Sequence, residues 1–140
     1  MNRCSFWTLA GRREDIPDRA IKKLTTQADE LFISTISSFE IVLKNQLGKL
    51  GLPMAAEEWY RKAVEGYAIE EIPVSSTIAM KSASLPFIHK DPCDRIIIAT
   101  ALEHRMPIIT ADQIIAQYSG IKVIWQDQQK FSPVLHFASR

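Results

Sequence analysis

Short apolar runs separated by segments of helical period constrain this chain more than any other feature of its sequence. Leu31-Phe32-Ile33-Ser34 is one such run, 69–74 is a second, 106–109 a third, and 121–125 closes the series. Between and before them, apolar residues recur at the three- and four-residue spacing of a helix with one buried face. Pro17 suits a first helical turn, followed by Ala20, Ile21, Leu24 and Ala28. Ser34 or Ser37 can cap a helix through Phe39, Leu43 and Leu47 that stops at Gly48. Pro53 opens a segment carrying Trp59, Ala63 and Val64 to about Gly66, and Ser75-Ser76 caps another that runs to about Leu85. Asp91-Pro92 starts the clearest helix, over 92–104, and a short one is expected over 113–118. Strands that alternate with helices form a parallel sheet covered on both faces, so the expected fold class is α/β. Residues 126–140 show no period and are expected as a C-terminal tail.

The 140 residues suit one domain, since typical domains hold roughly 100–150. A 46% apolar fraction with 24% charged residues can bury a core, which excludes intrinsic disorder. No apolar run approaches the roughly 18 residues of a membrane span, and the stretch after Met1 is too short for a signal-peptide core. A cytoplasmic protein is expected. Seventeen basic against sixteen acidic side chains give +1, so no whole-molecule field captures a polyanion. Cys4 and Cys93 stand far apart without a metal-type spacing and read as two reduced thiols.

Ligand sites in parallel sheets lie beyond the carboxyl ends of the strands. Three acids fall there. Glu40 follows the strand at 31–34, Asp94 lies in the first turn of the helix at 92–104, and Asp112 follows the strand at 106–109. Carboxylates converging from separate segments offer hard oxygen ligands for Mg²⁺ or Mn²⁺. Each has another explanation: Asp91 and Asp94 as cap and dipole partner of their helix, Glu40 as the partner of Lys44 four residues on, Asp112 as the cap of the helix at 113–118. Trp59, Tyr60 and Tyr67 can line a partner groove, although Trp59 at helical spacing with Ala63 reads as core. His89 and His104 stand in no catalytic pair and are left outside the catalytic set.

The segments Ile36-Ser37-Ser38-Phe39-Glu40-Ile41-Val42-Leu43-Lys44, Leu47-Gly48-Lys49-Leu50, His89-Lys90-Asp91-Pro92-Cys93-Asp94-Arg95-Ile96-Ile97-Ile98-Ala99 and Ile109-Thr110-Ala111-Asp112 resemble, in this order, the PIN-domain ribonucleases. More narrowly they resemble the VapC toxins of bacterial toxin–antitoxin pairs, over residues 5–125. The resemblance implies a three-layer α/β/α domain over 1–125 and a metal-dependent endoribonuclease that uses Mg²⁺ or Mn²⁺. It further implies a homodimer, and silencing by a VapB-like antitoxin whose peptide covers the site. By motif, Glu40, Asp94 and Asp112 fall on the metal-binding acids, Asp91 on an auxiliary acid and Thr110 on a supporting polar position. Lys44 and Arg95 are candidates to meet RNA phosphate or to balance the carboxylates.

The family opens with a buried central strand that ends in Asp-Thr and supplies the first metal-binding acid. Asn2 stands at that place here, so the first strand is expected to be missing or degenerate and activity impaired. An upstream start or a decayed gene would each account for this. The alternative function is a non-catalytic VapC-like remnant that binds an antitoxin.

Overall fold

The computed structural model describes residues 31–109, 114–124 and 134–135. Strand β1 (Leu31–Ser34) leads through Thr35 into helix α1 (Ile36–Gln46), followed by α2 (Ala56–Gly66), β2 (Ile69–Ile72), α3 (Ser76–Ser84) and α4 (Pro92–His104). Then come β3 (Ile108–Ile109), a single 3₁₀ turn (Ile115–Gln117), β4 (Val123–Ile124) and β5 (Val134–Leu135). The five strands form one sheet in the order β2-β1-β5-β3-β4, and every pair is parallel. Among the described residues no helix is long and apolar enough to cross a membrane.

Both faces of the sheet are covered, as its all-parallel pairing requires. Leu31 and Ile33 point into one core with Ile41, Trp59, Tyr60, Ala63 and Tyr67, beneath α1 and α2. Phe32, one residue out of phase, joins Ile78, Ile97, Ile98, Ala101 and Ile108 in the other, beneath α3 and α4. Alternation along a single strand thus divides the interior into two layers. The expected three-layer α/β/α class is the observed one. The aromatic residues Trp59, Tyr60 and Tyr67 are all buried in the core, and of the three Tyr60 also lines a surface pocket, with Phe39, Leu43 and Glu71. On the edge strand β2, Ile69 and Ile72 face inward while Glu70 and Glu71 are exposed, a charged rim that discourages further strand pairing.

Several local expectations shift. The cap of α1 is Thr35, not Ser34 or Ser37; Thr35 makes no side-chain cap bond, while Ser34 Oγ accepts the Ile36 N–H at 3.2 Å. Thr35 is instead committed to β2: its N–H donates to the Ile72 carbonyl at 3.0 Å and its Oγ1 accepts from Val74 at 3.2 Å. Helix α1 ends as expected at Gly48, whose φ of +73° allows a Schellman closure with Gly48 N–H on the Asn45 carbonyl and Lys49 N–H on that of Lys44. Helix α2 begins at Ala56 rather than at Pro53, and the element expected at 113–118 is only the 3₁₀ turn. The helix expected over 17–28 lies outside the described residues. Within the expected tail, Val134–Leu135 forms the middle strand of the sheet, between β1 and β3. Two residues are too few to display a period, which is why the sequence hid this strand.

Candidate active site

The acids meet because of chain direction. Helix α1 starts one residue beyond β1, so Glu40, on its second turn, stands above the carboxyl edge of the sheet. Helix α4 delivers the chain into β3 and so runs antiparallel to it, which sets the α4 N-terminus, with Asp91, Cys93 and Asp94, above the same edge. A carboxylate oxygen of Glu40, one of Asp91 and the Cys93 sulfur all lie within 4.8 Å of one another.

Asp91 is the cap of α4, as expected: its Oδ1 accepts the Cys93 N–H at 2.9 Å and, more weakly, the Asp94 N–H at 3.5 Å. Pro92, at the first helical position, has no N–H to satisfy. The cap of α4 is therefore also one of the carboxylates gathered around the Cys93 sulfur. Asp94 is completely buried, with its Oδ2 3.0 Å from His89 Nε2. Glu40 does pair with Lys44, at 3.7 Å, but their side chains are only 5% and 16% exposed. This is an ion pair inside the site rather than the solvated surface pair that the spacing alone permits.

The thiol of Cys93 registers the charge around it. It is pushed from 9.0 up to about 12, first by burial and then by the negative charges of Glu40, Asp91 and Asp94, against a smaller opposing pull from Lys44. Four ionisable side chains from two helices thus act on one half-buried sulfur. Three carboxyl groups against one ammonium make an oxygen-rich, electronegative pocket, a donor set suited to a hard divalent cation. The residues present fit Mg²⁺ or Mn²⁺.

The sequence profile of the PIN domain matches residues 5–129. The chain belongs to the PIN-domain family. It is also similar to Ribonuclease VapC22 of Mycobacterium tuberculosis, with 28% identity over 95 residues that cover 67% of this chain and 72% of that protein. The resemblance read from the acidic segments is thus the right one, down to the VapC type.

Of the site residues expected from this PIN-domain sequence, Glu40, Lys44 and Asp91 are brought together, with Asp94 beside them. Thr110 and Asp112 lie outside the described residues, just after β3 in sequence. Arg95 is the correction. It is buried, and its guanidinium donates to the carbonyls of Ser82, Leu85, Pro86 and His89 at 2.8–3.2 Å, with a longer bond to that of Ala83. With its donors committed to backbone, it holds the loop before α4 rather than meeting RNA phosphate. Two residues of the site were missed: Cys93, hidden as a lone thiol, and His89, whose separation of five residues from Asp94 matches no helix or strand period. The signal for both was contiguity, since His89, Asp91, Cys93 and Asp94 crowd into a single helix entry.

Proposed function

We propose that this chain is a metal-dependent endoribonuclease, the toxin of a toxin–antitoxin pair, acting in the cytoplasm on RNA phosphodiester bonds. The observation that carries this reading is the meeting of Glu40 and Asp91 within 4.8 Å of Cys93, in a pocket that Asp94 also charges. Membership of the PIN-domain family and similarity to a VapC ribonuclease support it. Glu40, Asp94 and Asp112 would hold Mg²⁺ or Mn²⁺, with Asp91 auxiliary and Thr110 supporting Asp112. A bound ion of this kind supplies Lewis-acid polarisation of a phosphate oxygen and activates water for in-line attack. Lys44 balances part of the carboxylate charge, which keeps the acids from repelling one another apart. The partners that go with this reading are RNA, a VapB-like antitoxin and a second copy of the chain.

One observation favours the alternative, a non-catalytic remnant that binds an antitoxin. In this family the central strand ends in an aspartate; among the described residues the strand in the middle of the sheet is Val134–Leu135, and the next residue in sequence is His136. An assay of the purified chain on structured RNA separates the two readings. Cleavage that requires Mn²⁺, stops with chelator and is lost in Glu40→Gln and in Asp94→Asn is the expected result. Antitoxin binding without metal uptake or cleavage would establish the remnant instead, and cleavage indifferent to chelator would defeat the metal-dependent reading.

A further inference from the structure

The imidazole of His89 is held from both sides. Its Nδ1 accepts the Asp91 N–H at 3.3 Å, and a ring nitrogen that accepts leaves the proton on the other. Nε2, on the other side of the ring, lies 3.0 Å from Asp94 Oδ2, a close charge contact. The backbone of His89 is fixed as well: its N–H donates to the Tyr118 hydroxyl at 2.7 Å, that hydroxyl donates to the Pro86 carbonyl at 2.9 Å, and the His89 carbonyl accepts from Arg95 at 3.2 Å. With its side chain 10% exposed, the ring is shielded from water that would compete for this contact.

We infer that His89 is a positioning residue for the metal site: its ring, with Nε2 3.0 Å from Asp94 Oδ2, sits against the Asp94 carboxylate and fixes its rotamer, so that the carboxylate is presented to the cation already oriented. Arg95 and Tyr118 take part by holding the loop that carries the ring. A carboxylate on a helix has free rotation about two side-chain bonds, and an acid that must find its rotamer on binding gives up affinity to that entropy. Partners of this kind that orient a ligand typically matter about 10–100-fold in metal affinity. The inference rests on the reading of Asp94 as a metal ligand.

Mn²⁺ titration of the metal-free chain, followed by calorimetry and by the resonance signal of the free ion, reads affinity without any cleavage. Wild type, Asp94→Asn, His89→Ala, His89→Gln and His89→Asn are compared, with folding checked by circular dichroism. A glutamine amide can place its N–H near the position of Nε2, while the shorter asparagine cannot reach Asp94. The expected result is a loss of about 10–100-fold for His89→Ala and His89→Asn, with most of the affinity recovered in His89→Gln. A merely structural histidine would show no such difference between glutamine and asparagine. If His89→Ala does not fold, the glutamine–asparagine pair decides alone. Equal affinities in that pair overturn the inference while leaving the metal site standing. No Mn²⁺ uptake by wild type, or full uptake by Asp94→Asn, overturns it together with the reading of Asp94 on which it rests.

Discussion

At Cys93, burial and charge act in the same direction. Both disfavour the thiolate, so the pKa rises from 9.0 to about 12. Because the thiolate is the species that alkylates, Cys93 should react slowly in the folded, chelator-treated chain. With Cys4 replaced by Ser to leave one thiol, the rate of alkylation is expected to climb about tenfold per pH unit from pH 8 to pH 10 without levelling. A plateau near pH 9 would show that neither burial nor the charges of Glu40, Asp91 and Asp94 bear on the sulfur. The sign for stability follows from linkage. The folded state holds this proton more tightly than the unfolded state, so the contribution is complete below about pH 9 and is lost as pH rises towards 12. Glu40 is equally a matter of surroundings. Its spacing to Lys44 was legible in sequence; that the pair is buried was not, because a four-residue spacing says nothing about which way the helix faces.

Helix α1 shows how an element's orientation can escape the sequence. Phe39, Leu43 and Leu47 recur at helical spacing and read as its inward face, yet they are 53%, 42% and 58% exposed. The buried positions are Ser37, Glu40 and Ile41. The helix is turned to bring its acid over the sheet edge, and periodicity alone cannot foresee an element whose polar side is the buried one. Helix α4 was fully legible, because Asp91, Pro92 and the apolar run after them all indicate the same start. What its sequence concealed was Arg95. The guanidinium fans two nitrogens over carbonyls at the end of α3 and in its exit loop, and it stacks 4.5 Å from the Phe87 ring centroid. Truncating it removes every one of these bonds at once, and only Ser82, through the Leu85 N–H, and Pro86, through the Tyr118 hydroxyl, keep a second donor shown beside it. Arg95→Ala is expected to cost about 3–4 kcal/mol in urea unfolding. Arg95→Lys should restore only part of this, since a single ammonium cannot span both sets of carbonyls. A loss below about 0.5 kcal/mol for Arg95→Ala would mean the loop holds without it.

Across the whole molecule, the sheet depends on the strand that the sequence disclosed least. Class, layering and the order of the elements from β1 to β4 follow from alternating periods, because each of those segments is long enough, or flanked clearly enough, to be read. Strand β5 is not, and it occupies the middle: Val134 pairs with both Phe32 and Ile108, and Leu135 with both Ile33 and Ile109. Without it, β1 and β3 would present unpaired backbone groups to each other across a gap, in a layer where Ile33 and Ile108 are fully buried. An interior strand uses its N–H groups in the ladder, so proline there removes a bond and clashes with its neighbour. Leu135→Pro in the full chain is therefore expected to cost about 3 kcal/mol or more and to lower the melting temperature of the whole domain. Amide hydrogen exchange should speed up together at Phe32 and Ile33 of β1 and at Ile108 and Ile109 of β3, strands that β5 joins in the sheet. Because Glu40 and Asp94 are positioned from the carboxyl ends of these strands, Mn²⁺ affinity should fall in the same variant. Unchanged protection at both strands would return residues 126–140 to the tail that their sequence suggests, and would leave the sheet divided between β1 and β3.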